Sequence, residues 1–134
     1  MAKYRKIKSK NVVLASDHAG FKLKEEVKKF LIKKRRKVLD LGTKNTASVD
    51  YPDYAHLLSK KMSKDKKQFG ILICGSGTGM SMAANKHKNI RAALCYDTKS
   101  TKLSRLHNNA NVMTIGAKLT KKNVVLKCVN TLKN

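Results

Sequence analysis

Short apolar runs alternate along the chain with stretches in which apolar residues recur every three or four positions. A short apolar run is the pattern of a buried strand, whereas the longer period is the pattern of an amphipathic helix. The runs predict five strands, at 12–15, 37–41, 70–74, 90–95 and 111–116.

The stretches between the runs predict helices. Leu23, Val27 and Leu31 fall on one face of the first, with Lys and Glu elsewhere. Pro52 favours a helix N-terminus, so we expect the second helix to begin just after it and to bury Leu58. The other helices are predicted at 80–86, from Asp97 or Thr98 to about His107, and from Thr120 onward.

The alternation of strands and helices predicts the α/β class, with about five parallel strands covered by helices on both faces. Right-handed crossovers make this a doubly wound, Rossmann-like three-layer sandwich. No linker, repeat or low-complexity tract divides the chain, so we expect a basic lead at 1–10 and a single domain at 11–134. In such folds ligands bind beyond the carboxyl ends of the strands.

The sequence has 31 Lys and Arg against 8 Asp and Glu, a formal net charge of +23. That charge fits either a nucleic-acid-binding protein or an enzyme with a solvated lysine-rich surface. The basic residues are nearly all Lys and are spread along the chain, and aromatic residues make up 5%. Nucleic-acid-binding surfaces more often use arginine clusters and aromatic stacking. We therefore expect no nucleic-acid partner, but a positive field that attracts anionic substrates.

None of the apolar runs approaches the roughly 18 residues of a membrane helix, and the basic N-terminus lacks the apolar core of a signal peptide. We therefore expect a cytoplasmic protein without a membrane partner. Cys74, Cys95 and Cys128 are too few and too scattered for a disulfide framework, and no Cys or His spacing suggests a metal. No metal or cofactor is expected, and at least one thiol is a candidate reactive group.

Two polar residues follow the first predicted strand. Asp17 could simply cap the next helix, and His18 could be an exposed loop residue. At a strand's carboxyl end and before a helix N-terminus, the pair is equally suited to hold hydroxyl groups and a phosphate.

The third predicted strand ends at Cys74 and leads into the run Gly-Ser-Gly-Thr-Gly at 75–79. The run matches neither a Walker motif nor a dinucleotide fingerprint, because the required Lys and glycine spacing are missing. It could be a plain tight turn. A row of amides opening a helix also binds anions, stabilises an oxyanion and favours a thiolate at the preceding cysteine. Such a thiolate can remove a proton next to a carbonyl.

His107 lies near the end of the fourth predicted helix, where a lone histidine is usually just a favourable charge. Spacing alone does not establish that it meets the other candidates. The candidates from residue type and position are His18, Tyr51, Cys74, Ser76 and His107.

The chain resembles the type B ribose-5-phosphate isomerases in several motifs that follow one another in the family's order. The resemblance covers about residues 11–120 and is highly specific, because the motifs are long. They are ASDHAGF (15–21), DYPDYA (50–55), GILICGSGTGMS (70–81), AANK (83–86), IRAA (90–93) and HNNANV (107–112).

This resemblance implies interconversion of ribose 5-phosphate and ribulose 5-phosphate, a step of the pentose phosphate pathway, without a metal. His107 would open the furanose ring with help from Asp17, and Cys74 would carry the proton between C2 and C1. Ser76 would exchange a proton with the enediolate oxygen. The substrate-binding residues implied by the resemblance are Asp17, His18, Tyr51, Gly75, Ser76, Gly77, Thr78, Gly79 and Asn108.

The resemblance also implies a homodimer, or a tetramer built from it, with each site between two subunits. Family members carry phosphate-binding arginines in a C-terminal tail that the sequence ending at Asn134 lacks. We therefore expect a high Michaelis constant for ribose 5-phosphate, with Lys102, Arg105 or Lys118 as substitute cations. The alternatives are a galactose-6-phosphate isomerase subunit, which typically lacks a histidine at the place of His107, and a noncatalytic phosphosugar or nucleic-acid binder.

Overall fold

A computed structural model describes residues 11–65 and 67–133 of the chain, so the predicted basic lead at 1–10 lies outside the described residues. Strands and helices alternate throughout. The strands are Asn11–Ser16 (β1), Lys37–Asp40 (β2), Phe69–Cys74 (β3), Ala92–Leu94 (β4) and Val112–Gly116 (β5). The helices are Phe21–Lys33 (α1), Tyr51–Ser63 (α2), Thr78–Ala84 (α3), Thr98–Leu106 (α4) and Lys122–Asn130 (α5), followed by a 3₁₀ turn at Thr131–Lys133.

The five strands form one parallel sheet in the order β2-β1-β3-β5-β4, which confirms the predicted α/β class and parallel sheet. The register pairs Ser16 with Ile73, and Cys74 with Gly116. The carboxyl ends of β1, β3 and β5 therefore lie side by side at one edge.

Helices cover both faces of the sheet and make the predicted three layers. Alternate side chains of β1 point to opposite faces of the sheet. Val12 and Leu14 pack toward α1 and α5, whereas Val13 and Ala15 pack toward α2 and α3. Among the described helices, none is long and apolar enough to cross a bilayer.

Cys95 and Cys128 are core residues of the layer that contains α1 and α5. Both are free thiols and are almost completely buried. Burial raises the pKa of each thiol, so both stay protonated near neutral pH.

Most predicted boundaries differ from the observed ones by one or two residues; α3, for example, is Thr78–Ala84 rather than 80–86, and α5 begins at Lys122 rather than Thr120. α2 begins at Tyr51 rather than after Pro52, which occupies its second position. β4 is shorter than the predicted 90–95. Its first residue is bonded by the side chain of Asn85, which accepts from Ala92 N–H at 2.8 Å and donates to Ala92 O at 2.9 Å. This side chain covers an edge strand that would otherwise expose unpaired backbone groups.

A lysine is buried where the pattern placed a solvated one. Lys24 is 1% exposed, and its ammonium group contacts both carboxylate oxygens of Asp40, at 2.9 and 2.7 Å. Glu25 accepts a further hydrogen bond from Lys24 at 2.8 Å. These contacts fasten α1 to the carboxyl end of β2. Burial alone would raise the pKa of Asp40, but hydrogen bonds from Lys24 and Gly42 N–H lower it below its usual value of 3.8.

We expect Asp40→Asn to destabilise the protein by about 3 kcal/mol at pH 7, because it removes one partner of a buried charge pair. The pKa of Asp40 is lowered on folding, so its stabilising contribution is full above about pH 4 and is lost as the pH falls through the lowered value. Urea unfolding from pH 7 to pH 2 should show a shallower acid loss for the variant than for the unmodified protein.

Lys24→Met in the Asp40→Asn background provides the matched control. Replacing both partners leaves no buried unpaired charge, so it should recover most of the stability lost at pH 7. A double variant no more stable than Asp40→Asn at pH 7 would contradict the importance assigned to this pair.

Candidate active site

The site lies where the chain reverses direction across the sheet. β1 is followed by β2 on one side, whereas β3 is followed by β4 on the other. In an open parallel sheet this reversal leaves a crevice between the carboxyl ends of the two central strands, where ligands bind. Asp17 and His18 follow β1 at this crevice, and Cys74 ends β3.

Cys74 is held by the turn that follows it. Its side chain is 4% exposed, and its Sγ accepts a hydrogen bond from the Gly77 N–H at 3.1 Å. A donor aimed at sulfur stabilises the negatively charged thiolate. Of the three cysteines, Cys74 therefore has the surroundings of a reactive thiol, whereas Cys95 and Cys128 lie in the apolar core.

The turn after Cys74 is tight enough that only glycine fits at its centre, position 77. Gly77 has φ of 78°, in the left-handed region, and a Cβ there would lie 2.6 Å from Leu94 Cδ1 and 2.8 Å from the Ile115 carbonyl carbon. The turn after β5 holds it from the other side. Ala117 N–H donates to Cys74 O at 2.8 Å, and Lys118 N–H donates to Gly75 O at 3.0 Å.

The residues that follow β1 are held against β3. Asp17 N–H donates to Ile73 O at 3.2 Å, and the Asp17 carboxylate, 7% exposed, accepts from Gly20 N–H at 3.1 Å. Asp17 is therefore not the cap of α1, because Gly20 is the capping residue and has no side-chain cap bond; the Asp17 carboxylate instead closes the turn before the helix. That contact uses one oxygen and leaves Asp17 at the crevice.

His18 is oriented by the loop before α2. Val49 N–H donates to His18 Nδ1 at 3.1 Å. Val49 O lies 3.2 Å from the same nitrogen, so the Val49 backbone fixes the ring through Nδ1 in either tautomer, and Nε2 takes no part in this contact.

Tyr51 reaches the glycine-rich turn from the first residue of α2. Its ring lies on Gly79, where a Cβ would be 2.6 Å from Tyr51 Cε1. Ser76 and Thr78 are both exposed on the turn, and Ser76 Oγ accepts from Thr78 N–H at 3.3 Å. Tyr51, Ser76, Thr78 and Gly79 are therefore neighbours at the strand end, as the resemblance implies.

The sequence indicates Lys118 only as a substitute cation for the phosphate. Its side chain lies over Gly75, where a Cβ would be 3.5 Å from Lys118 Cδ and 3.7 Å from Cε. The available sequence signal was its position two residues after Gly116, at the carboxyl end of β5. Arg105 was wrong as a substitute, because it is 5% exposed and its guanidinium donates to Ala110 O within the fold.

His107 and Asn108 lie at the opposite edge of the sheet. Asn108 O accepts from Arg91 Nε at 2.7 Å, and Asn111 O, three residues later, accepts from Gly70 N–H at 2.9 Å. Gly70 precedes Cys74 by four residues of strand, about 13 Å at 3.3 Å per residue. Within one chain, His107 and Asn108 are thus separated from Cys74 by the height of the sheet.

Across the described residues, no three His, Cys, Asp or Glu side chains form a group that could hold a metal ion.

Comparison with known proteins agrees with this geometry. A family model described as Ribose/Galactose Isomerase matches residues 12–134. The chain belongs to the ribose/galactose isomerase family. Ribose-5-phosphate isomerase B of Escherichia coli is 40% identical over 110 residues, which are 82% of this chain and 74% of that protein.

Solved structures from the isomerase family show the same fold. Ribose 5-phosphate isomerase from Thermotoga maritima has a TM-score of 0.88 at 44% identity, over 91% of this chain and 84% of that one. The Mycoplasma genitalium ribose-5-phosphate isomerase B, solved with bound ribulose-5-phosphate, has a TM-score of 0.88 at 41% identity. That match covers 91% of this chain and 82% of that one.

We expect Gly77→Ala to unfold the turn or destabilise the protein by more than about 3 kcal/mol, because it combines a left-handed backbone with overpacking. Gly75→Ala is the matched control, since a Cβ at Gly75 would make only ordinary contacts. Its melting temperature should stay within a few degrees of the unmodified protein. Equal stability losses for the two variants would show that crowding at Gly77 does not determine the turn.

Proposed function

We propose that this chain interconverts ribose 5-phosphate and ribulose 5-phosphate, as an aldose–ketose isomerase. The observation that carries the proposal is the sulfur of Cys74, held by Gly77 N–H at the crevice between β1 and β3. Membership of the family and the Mycoplasma genitalium relative with bound ribulose-5-phosphate support the substrate.

Cys74 is the proton carrier in this proposal. On the open-chain aldose, its thiolate takes the proton from C2. The C2–H electron pair forms the C1=C2 bond, and the carbonyl electrons move to O1 to give a cis-enediolate. The thiol then returns the proton at C1, while the O2 proton passes to O1 through Ser76 and O2 becomes the ketose carbonyl. A positioned base of this kind accelerates proton transfer by about 10²–10⁴-fold.

The glycine-rich turn stabilises the enediolate. Its amides span residues 75–79, and the Gly77 and Thr78 amides are directed at Cys74 Sγ and Ser76 Oγ. Because Ser76 Oγ already accepts from an amide, its own proton is available for donation to the O1 or O2 atom of the sugar. Ser76 therefore exchanges a proton with the enediolate oxygens in this mechanism.

The surrounding side chains bind the rest of the substrate. The Asp17 carboxylate accepts hydrogen bonds from sugar hydroxyl groups, and Tyr51 packs against the sugar beside Gly79. His18 contacts the phosphate through Nε2, because the Val49 backbone holds Nδ1. Lys118 adds a cation over Gly75.

We also propose that the active protein is a homodimer in which each site takes His107 and Asn108 from the partner subunit. Both residues lie at the amino edge of their own sheet, away from Cys74, and a two-fold interface would supply them reciprocally. His107 then protonates the ring oxygen of the furanose, the bond between C1 and that oxygen breaks, and the Asp17 carboxylate takes the proton of the O1 hydroxyl as the C1 aldehyde forms. We place the enzyme in the cytoplasm, where its three free thiols are compatible with reducing conditions.

The family description includes galactose isomerases, so galactose 6-phosphate is the second candidate substrate. The presence of His107 favours the pentose. The ratio of kcat/KM for ribose 5-phosphate to that for galactose 6-phosphate distinguishes them, and we expect it to exceed about 10².

Cys74→Ala should lower kcat by about 10²–10⁴-fold, because the proton carrier is removed. KM and ring opening should change little. The rate of ribulose 5-phosphate formation and solvent-deuterium incorporation at C1 and C2 measure both steps.

Cys95→Ala is the matched control for loss of a thiol in the core. It should cost stability but retain most of the activity at 25 °C. Near-normal turnover by Cys74→Ala would show that another group carries the proton.

Mixing two inactive variants tests the shared site. Cys74→Ala and His107→Ala chains are unfolded together and refolded, so that mixed dimers form. If His107 acts across the interface, each mixed dimer has one complete site, and random mixing restores about a quarter of full activity. No restoration above the separate variants, in a mixture shown by mass spectrometry to contain mixed dimers, would place His107 and Cys74 in the same subunit.

A further inference from the structure

Basic residues that are spread along the sequence meet at one edge of the folded chain. Every helix-to-strand turn of a β–α repeat lies at the amino edge of the sheet, opposite the crevice. We define the basic edge as the exposed residues of two such turns and their flanks. These are Lys33, Lys34, Arg35 and Lys37 between α1 and β2, and Lys64 and Lys67 between α2 and β3.

Acidic side chains are distributed in the opposite way. Of the 8 Asp and Glu residues, all within the described residues, only Asp65 lies in a helix-to-strand turn. Asp17, Asp50 and Asp97 lie at the crevice edge, at or next to helix N-termini. The positive field of the basic edge is therefore barely neutralised by nearby carboxylates.

The dimensions of the basic edge fit a chain of phosphates. β2 and β3 flank β1, so their first residues lie two strand spacings apart, about 10 Å. Nucleic acid carries one phosphate per about 3.4 Å of axis on each strand, so several phosphates fit across this width.

One residue of the basic edge has an unfavourable backbone for its type. Arg35 has φ of 62°, in the left-handed conformation that usually selects glycine at the end of a helix. Arg36 N–H donates to Leu31 O at 3.0 Å and closes that turn. Arg35 therefore occupies a position at which glycine would adopt the left-handed backbone with less strain.

The surroundings favour phosphate contacts over base contacts. Phe30 and Phe69 are the nearest aromatic residues in the sequence. Lys34 Nζ lies over the Phe30 ring at 5.6 Å, and Phe69 is 2% exposed, so neither ring is open. Stacking of bases needs an open aromatic face. Membrane binding needs an extended apolar surface beside the cations, whereas α1 offers the single exposed Ile32 within its last turn.

We propose that the basic edge binds nucleic acid through backbone phosphates, without reading the sequence. The basic edge is separate from the crevice of the same chain, which lies at the other edge of the sheet. Lysines far apart in the sequence meet at the basic edge, so their spread along the chain does not exclude a nucleic-acid partner, although other lysines lie at the crevice edge.

The test compares two triple variants that remove equal charge. One carries Lys33→Gln, Lys34→Gln and Lys37→Gln at the basic edge, and the other carries Lys99→Gln, Lys121→Gln and Lys122→Gln at the crevice edge. Binding of a labelled DNA duplex of about 20 base pairs is measured by fluorescence anisotropy across a salt series. Circular dichroism and thermal melting confirm that both variants are folded.

We expect the basic-edge variant to lose at least about tenfold in affinity at about 0.1 M salt. Its slope of log K against log salt should shrink by about 2–3, because each lost phosphate contact removes about 0.9. The crevice-edge variant should lose less than about twofold, and changing the duplex sequence should have little effect. Equal losses in the two variants, or no binding by the unmodified protein at this salt, would overturn the proposal. Equally tight binding to phosphatidylglycerol vesicles through the same lysines would overturn the choice of nucleic acid.

Discussion

The crevice depends on close backbone contact between the turns after β3 and β5. Gly116 allows it from one side, because a Cβ there would lie 2.6 Å from Ser76 O. Gly77 allows it from the other, where any side chain would collide with Ile115 and Leu94. With these two residues in place, the turn folds back far enough for an amide to reach the sulfur of Cys74. The position of the candidate base, Cys74, therefore depends on glycine at positions 77 and 116.

Much of the fold was predictable because each element follows from local sequence. Continuous apolar runs gave the five strands, and Asp97 forms the expected cap, accepting from Ser100 N–H at 2.6 Å. The order of strands was not predictable, since periodicity carries no information about which strands pair. Lys24 was misplaced for a similar reason. It shares a helix face with Val27 and Leu31, but its partner Asp40 is distant in sequence.

The candidate site divides into a part that follows from topology and a part that does not. Asp17, His18 and Cys74 follow strands, so a parallel sheet brings them to one edge. His107 follows a helix, and helices here run opposite to the strands, so the same rule places it at the far edge. The order of the motifs along the chain does not show whether a residue such as His107 acts in the site of its own subunit or in that of the partner. The basic edge could not be predicted from the sequence either, because its residues are far apart in sequence and meet only at the ends of neighbouring strands.

The burial of Lys24 makes it an internal chemical reporter. Every other lysine whose side chain the structure describes is at least partly accessible to solvent, whereas Lys24 is 1% exposed and bonded to Asp40 and Glu25. Amine-reactive reagents will therefore modify the surface lysines of the native protein and reach Lys24 only when α1 separates from the sheet. In a chain so rich in lysine, mass spectrometry of this one residue reports opening of the helix that leads from Asp17 and His18 into the fold.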